Sequence, residues 1–165
     1  MTTNPFLSQE EDEKWKKMYT NTKLGKKIKF IDRVETHEEV YNIMSKADCG
    51  IFPSRAEGWN LELLEMLACG KDVITTKYSA HTEFCNTDNA YLVDVDEKEI
   101  AYDGKWFSGK CGSWGKLDEC HLNIFAEKMK QVHLKAKQQN TKGIKSANEL
   151  SWQNSALAIK RVIND

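Results

Sequence analysis

The chain has 165 residues, of which 40% are hydrophobic and 30% charged, and its formal net charge at pH 7 is −1. This composition is typical of one globular domain and argues against a disordered chain. A nearly neutral chain lacks the broad basic field of nucleic-acid-binding proteins, so we expect no nucleic-acid partner.

The sequence also predicts a cytoplasmic protein without a membrane segment. No apolar run approaches the length of a membrane span, and residues 1–17 have neither the apolar core nor the cleavage pattern of a secretory signal. The five cysteines are odd in number and widely spaced, and Cys49 and Cys69 lie in apolar segments, where a free thiol behaves as a small hydrophobe. We therefore expect a reducing compartment and no disulfide framework.

A capping pattern predicts the first helix. Ser8 followed by Glu11 has the spacing of a capping box, and it opens a polar helix that runs to about Tyr19. Trp15 and Met18 are predicted to form the inward side of this helix.

A strand, a helix and a second strand are predicted next. Residues 27–31, "KIKFI", read as a short strand, and Thr36 with Glu39 forms a second capping box for the helix "HEEVYNIMSKA". Residues 49–53, "CGIFP", read as a buried strand that ends at Pro53.

The central part of the chain continues this alternation. The loop "SRAEGWN" leads into the helix "LELLEMLA", and Gly70 is in the usual position after a helix end. A strand at 72–76, a short helical turn in "HTEFC" and a strand at 90–95 follow.

Periodicity is lost over residues 96–118, which are rich in glycine and aromatic residues and are predicted to be an ordered loop or insertion. Its aromatic residues, Trp114 among them, either stack on a sugar ring or pin the loop to the core. Residues 119–165 are predicted to be C-terminal helices, the last of them capped by Ser151. No repeat or flexible linker interrupts the chain, so residues 1–165 are predicted to form a single domain.

Strands that alternate with helices predict an α/β fold. We expect a Rossmann-like, mainly parallel sheet with helices on both faces. Ligands of such sheets bind at the carboxyl ends of the strands. The loops after Ile31, Pro53 and Thr76 belong to that edge.

Two carboxylates belong to the same edge. Glu65 has Leu61, Leu64 and Ala68 as neighbours at helical spacing, and an unpaired carboxylate in such an apolar stripe is costly. The hydroxyls of a vicinal diol, such as that of a ribose, would satisfy it. Glu57, in the preceding loop, would act on a sugar ring or stabilise developing positive charge.

The start of the helix adds a second feature suited to a ligand. Its first turn offers unpaired N–H groups and the positive end of the helix dipole, which favour phosphates, and Gly58 allows a close approach. Two alternatives stay open from the residues alone. Glu57 is equally compatible with a solvated loop residue, and Glu65 with an ion pair to Lys71 or Arg55.

Other candidate residues carry less information. His81 follows the strand that ends at Thr76, and it either contacts a sugar or phosphate or bonds to the backbone of its own turn. Cys111, Cys120 and His121 fit no common zinc-site spacing, so we expect no metal site.

The segment around the two carboxylates resembles the donor-binding signature of retaining glycosyltransferases of family 4 and their GT-B relatives. That pattern is Glu-Gly-aromatic-Gly, an apolar helix with a second Glu, a small residue with Gly, and a Val-Ile strand with Thr. The chain has "EGWN", "LEM", "ACGK" and "VIT" in the same register, with Asn60 at the usual glycine position. Weaker resemblance extends over about residues 25–163.

This resemblance implies the C-terminal, donor-binding half of a GT-B fold, incomplete at its N-terminus. Family members transfer a sugar from a nucleotide-diphosphate sugar with retention, and they typically need neither cofactor nor metal. Glu57 is the implied catalytic residue, beside the donor sugar. The implied donor-binding residues are Gly58, Trp59, Asn60 and Leu61 through backbone N–H groups, Glu65 at the ribose, and Arg33 and Val34 near the base; His81 is added as a further candidate.

The resemblance also implies a partner, because a complete GT-B enzyme has an acceptor domain as well. We expect an N-terminal acceptor domain or a partner subunit, and an exposed sheet edge would favour self-association. The alternative is a non-catalytic module that binds nucleotide sugar or docks on a partner, or a donor-half subunit that needs another chain. A third possibility is an interaction domain that has lost the site.

Overall fold

A computed structural model describes residues 8–164. The chain divides into two compact units, with the boundary between Val40 and Tyr41. In the first unit, helix α1 spans Gln9–Thr20, and the Ser8 and Glu11 side chains form the predicted capping box at its start. A single 3-10 turn, Gly25–Lys27, follows.

Two predictions for this first unit are wrong. Residues 28–34 have no regular structure, so the predicted strand at 27–31 is absent. A strand needs a paired neighbour to form, and the part of the chain that the structure describes offers none to this segment. Trp15 and Met18 are also exposed, at 41% and 66%, because α1 buries no residue.

The second unit is built on a parallel sheet of three strands in the order β1-β2-β3. Cys49 of β1 pairs with Asp72 of β2, and Ile74 of β2 pairs with Tyr91 of β3. Helix α2 precedes the sheet and begins with the predicted Thr36–Glu39 capping box. The bounds are α2 His37–Met44, β1 Cys49–Phe52, α3 Leu61–Ala68, β2 Asp72–Lys77, a 3-10 turn Ser79–Glu83 and β3 Tyr91–Asp94.

Helices cover both faces of this sheet. Val73 faces α3 and packs in one cluster with the fully buried Leu63 and Leu67. The next residue of β2, Ile74, points the other way and packs with Val93 and with Phe125 of helix α4, Glu119–Leu134. The fold-class prediction of an α/β fold with a Rossmann-like parallel sheet and helices on both faces is therefore confirmed.

Residues predicted to be a loop instead contain an antiparallel hairpin. Strands β4, Lys98–Tyr102, and β5, Ser108–Gly115, pair with an irregularity between Ile100 and Tyr102. Gly109 and Gly112 have φ of 78° and 82°, which bulges β5. This bulge interrupts the alternation of side chains, and so the sequence shows no strand period there.

Three helices complete the described chain: α4 Glu119–Leu134, α5 Thr141–Glu149 and α6 Trp152–Asn164. Helix α5 was not predicted, and its first turn contains Gly143. That glycine lets α5 approach α3, because a Cβ there would lie 2.8 Å from Leu67 Cδ2. Ser151 accepts a hydrogen bond from the N–H of Asn154 at the start of α6, as its predicted capping role requires.

Candidate functional site

The loop between β1 and α3 holds Glu57 by hydrogen bonds from two directions. Its Oε1 accepts from Ser54 Oγ at 2.7 Å and from Asn60 Nδ2 at 3.4 Å. Its backbone is tied to the loop after β2, since Ser79 Oγ donates to Glu57 O at 2.7 Å and accepts from Glu57 N at 3.2 Å. The other carboxylate oxygen, Oε2, accepts no hydrogen bond from the described residues and remains available to a ligand.

Two residues with a strained backbone form hydrogen bonds with Glu57. Asn60 and Ser79 have φ of 67° and 59°, and within residues 8–164 they are the non-glycine residues with positive φ. Both bond directly to Glu57. Such conformations cost free energy and persist where surrounding contacts hold them, which is a common feature of functional sites.

A buried network lies behind Asn60. Its Oδ1 accepts from the N–H of Leu63 at 3.1 Å and so caps α3, while its Nδ2 lies 2.9 Å from Nε2 of His81. His81 is fully buried, and its Nδ1 lies 2.7 Å from Thr75 Oγ1 and 3.1 Å from the carbonyl oxygen of Thr76. Burial lowers the pKa of His81 below its ordinary value of 6.5, although its contact with the Thr76 carbonyl and the charge of Glu57 oppose the shift.

The half-buried carboxylate of Glu65 has no partner among the residues that the structure describes. Among residues 8–163, no side chain or backbone group donates a hydrogen bond to it or forms an ion pair with it. The two basic residues considered as partners are engaged elsewhere. Lys71 Nζ donates to the carbonyl oxygen of Ser45 at 2.6 Å, and Arg55 pairs with Glu99.

The start of α3 presents unsatisfied donors to open space. The backbone N–H groups of Gly58, Trp59 and Leu61 make no hydrogen bond within the described part of the chain. A Cβ built on Gly58 would meet nothing within 4 Å. The Trp59 ring instead turns inward and packs on Phe84, with ring centroids 5.2 Å apart, so this residue offers its backbone rather than its side chain.

The sequence profile of the family described as Glycosyl transferases group 1 matches residues 8–103, more than half of the chain. The chain belongs to this family. All the predicted site residues, from Arg33 to His81, lie inside the matched range. The three-stranded parallel sheet with helices on both sides is consistent with a Rossmann-like half of a GT-B glycosyltransferase, and glycosyl transfer is the activity of the group. A comparison with curated proteins gave no significant match.

The structure thus brings most of the predicted group 1 site residues together. Glu57, Gly58, Trp59, Asn60 and Leu61 follow one another into the first turn of α3. Glu65 is one turn further along the same helix. Arg33, exposed, and Val34, partly buried, belong to the other compact unit, and their predicted role near a base stays a prediction.

The residues that hold the loop between β1 and α3 were not predicted from the sequence. Ser54 and Ser79 bond to Glu57, and neither stands out in a chain with many hydroxyl residues. Arg55 was considered only as a partner of Glu65, whereas it binds the β4–β5 hairpin. One signal was present in the sequence, namely an asparagine where the family pattern has glycine, because asparagine tolerates a positive φ better than most residues.

A separate cavity of about 560 Å³ lies at the opposite edge of the sheet, around Cys49 and Asp72, the first residues of β1 and β2. Its walls include Val132 on α4 and Lys135, which pairs with Asp72 at 3.0 Å. None of the predicted site residues lines this cavity. Its position at the amino-terminal ends of the strands separates it from the edge where parallel sheets bind ligands.

Within the described residues, no group of three or more His, Cys, Asp or Glu side chains is arranged to hold a metal ion, and the five cysteines are free thiols. No helix in the described ranges is both long and apolar enough to cross a bilayer.

Proposed function

We propose that this chain is the donor-binding half of a retaining glycosyltransferase of the family 4 type. It binds a nucleotide-diphosphate sugar and, with an acceptor domain or partner subunit, transfers the sugar to a hydroxyl of an acceptor. The nucleotide sugar is the substrate, and the proposal requires no cofactor and no metal.

The proposal rests mainly on the carboxylate of Glu65, which has no hydrogen-bond or ion-pair partner among the described residues. This group is half-buried on an otherwise apolar helix face, and within the described chain it has no donor. A charged group in that position needs hydrogen bonds from outside. A vicinal diol supplies two O–H donors to one carboxylate, which matches the ribose of a nucleotide.

The neighbouring groups suit the rest of such a donor. The free N–H groups at the start of α3 and the positive end of its dipole favour a diphosphate. Glu57, with Oε2 available, would stabilise positive charge that develops on the sugar as its bond to phosphate breaks. The diphosphate takes the electron pair of that bond, and the acceptor oxygen forms the new bond while its proton passes to the departing phosphate oxygen.

A thermal-shift panel of UDP, GDP and ADP with their common sugar conjugates tests the proposal. A ligand that binds only the folded state raises the Tm by mass action. We expect one nucleotide class to raise the Tm of the wild-type chain, and we expect Glu65→Gln to lose that shift, because an amide is a weaker acceptor for a diol than a carboxylate.

The matched control is Glu62→Gln, which removes the same charge from an exposed position on the same helix. This variant should keep the shift. A shift that survives in Glu65→Gln, or no shift with any member of the panel, would count against the donor site.

A further inference from the structure

Asn60 occupies a position that glycine fills in the resembled pattern, and its backbone is left-handed, with φ 67° and ψ 73°. Glycine adopts this conformation without steric cost, whereas asparagine does so only with a penalty. The structure shows what the side chain does there. It makes three contacts at once, with Leu63, His81 and Glu57.

These contacts fix which way the Asn60 amide points. Oδ1 must face the N–H of Leu63, because that group can only donate. Nδ2 is therefore the atom that faces Nε2 of His81 at 2.9 Å and Oε1 of Glu57 at 3.4 Å. An N–H donor at 2.9 Å requires that Nε2 of His81 carries no proton.

The other side of the ring agrees with this assignment. A neutral imidazole with a bare Nε2 carries its proton on Nδ1. Nδ1 faces the carbonyl oxygen of Thr76 and the hydroxyl of Thr75, and that hydroxyl has its own acceptor in the carbonyl oxygen of Phe52 at 3.2 Å. Each donor in the network thus meets an acceptor when His81 is neutral.

Protonation of His81 breaks this match. Nε2 then also carries a hydrogen and points it at the Asn60 amide group. Turning the amide over would satisfy the ring, but it would aim N–H at the N–H of Leu63 and remove the donor from Glu57. Glu57 is the charged group whose field acts on the ring, while β2 and the α3 cap present only Thr75, Thr76 and Asn60 to it.

We propose that Asn60 and His81 are a positioning pair for the donor site, which holds the Glu57 carboxylate and the α3 cap in place only while His81 is neutral. Donor binding therefore weakens as the pH falls. His81 acts through Asn60 rather than by touching the donor, and this inference rests on the proposed function of the site.

The hydrogen bond can be tested without any ligand. In ¹⁵N-labelled protein at pH 7.5, a scalar coupling across the hydrogen bond should link Asn60 Nδ2 to His81 Nε2, and the ring should show a protonated Nδ1. On acidification the coupling should disappear, because Nε2 gains a proton, while Nδ1 stays protonated. A protonated Nε2 at pH 7.5, or a missing coupling, overturns the pair.

Binding of UDP, GDP and ADP from pH 5.5 to 8 tests the expected pH dependence. For whichever nucleotide binds, we expect the wild-type affinity to fall by about fivefold or more at the acid end, the equivalent of one net hydrogen bond. Asn60→Gly keeps the backbone conformation. It should bind the nucleotide more weakly than the wild type at every pH, and its affinity should not fall further on acidification. His81→Gln, whose Oε1 can accept from Asn60 but does not titrate in this range, should bind the nucleotide with an affinity that does not fall on acidification.

The matched control is His133→Gln, which removes an exposed histidine from α4 and should keep the wild-type pH profile. A wild-type affinity that is independent of pH, or a Asn60→Gly variant with the full acid loss, overturns the inference. If none of the three nucleotides binds at any pH, the proposed function and the pH dependence of binding both fail, whereas the coupling between Asn60 and His81 still reports on the hydrogen bond.

Discussion

Arg55 and Gly115 are joined twice, although sixty positions separate them in sequence. The N–H of Gly115 donates to the carbonyl oxygen of Arg55 at 2.7 Å, and Arg55 Nε donates to the carbonyl oxygen of Gly115 at 3.0 Å. The guanidinium also lies 4.7 Å from the centre of the Trp114 ring and pairs with Glu99. The base of the β4–β5 hairpin is thereby fixed to the loop that carries Glu57.

Arg55→Ala should loosen the hairpin while leaving the parallel sheet intact. The variant loses the hydrogen bond to Gly115, worth about 1 kcal/mol, and the contact with Trp114, worth about 0.5–1 kcal/mol. The ion pair with Glu99 adds little because both side chains are well exposed. Hydrogen exchange of the β4 and β5 amides should therefore accelerate by roughly tenfold, while that of β2 stays unchanged.

Lys110→Ala is the control for this experiment, because Lys110 is an exposed residue of β5 whose side chain makes no hydrogen bond or ion pair within the described residues. Its exchange pattern should equal that of the wild type. If the β4 and β5 amides exchange as slowly in Arg55→Ala as in the wild type, the contacts of Arg55 do not stabilise the hairpin.

The sequence predicted the parallel sheet because each of its signals is local. The alternation of strands with helices, the helix caps and the glycine after α3 can each be recognised from residues that are close in sequence. The structure places α3 at Leu61–Ala68, and Gly70 follows it with φ 69°, as expected for a glycine after a helix end. The hairpin and α5 were not predicted, because the residues close to them in sequence do not carry a clear signal. The bulged β5 hides its period, and Gly143 in α5 makes sense only against Leu67, a contact between distant parts of the chain.

The candidate site was predictable in part. Glu57 and Glu65 stand out from their surroundings in the sequence, one beside a glycine and the other among leucines. The pairing of Asn60 with His81 requires the chain to fold β2 next to the α3 cap, and no spacing rule joins positions 60 and 81. The lack of a donor for Glu65 is likewise a property of the folded chain, since Lys71 and Arg55 were both plausible partners before their contacts were known.

Two glycine substitutions distinguish a glycine that is needed for packing within the fold from one that leaves room for a ligand. Gly70→Ala places a side chain at φ 69°, with its Cβ 2.7 Å from Gln139 Cγ, and should lower the free energy of unfolding by about 1–3 kcal/mol. Gly58→Ala meets nothing within 4 Å and should change it by less than about 0.5 kcal/mol. Urea titrations measure both values.

The same Gly58→Ala variant should bind nucleotide sugar more weakly by roughly tenfold, since the added methyl lies where the proposed ligand approaches and overpacking typically costs about 1–3 kcal/mol. The experiment compares dissociation constants of folded wild type and variant. Unchanged affinity would mean that no ligand comes close to the backbone at this position.

Thiol labelling distinguishes the exposed cysteines from the partly buried Cys49 and the buried Cys85. Cys111 and Cys120 are exposed and should react with a maleimide or disulfide reagent within minutes at pH 7.5. Burial raises the pKa of Cys49 to about 11 and that of Cys85 to about 12, so both lack thiolate at this pH and should react only after unfolding. Mass spectrometry of the labelled peptides identifies each site, and rapid labelling of Cys85 in the native protein would contradict its packing beside Leu63 and Val73.

The stability of the fold should also depend on His81. Because burial lowers the pKa of His81 in the folded chain, the unfolded chain binds the proton first as the pH falls below the ordinary value of 6.5. The free energy of unfolding is therefore at its full value above that pH and decreases on acidification, by at most about 1.4 kcal/mol per pH unit for one group. Urea titrations of wild type between pH 5.5 and 7.5 should show this slope, and His81→Gln should have a smaller one. His37→Gln removes an exposed histidine of α2 and should keep the slope. An equal slope in wild type and His81→Gln would mean that folding does not lower the pKa of His81, contrary to what the burial of its ring predicts.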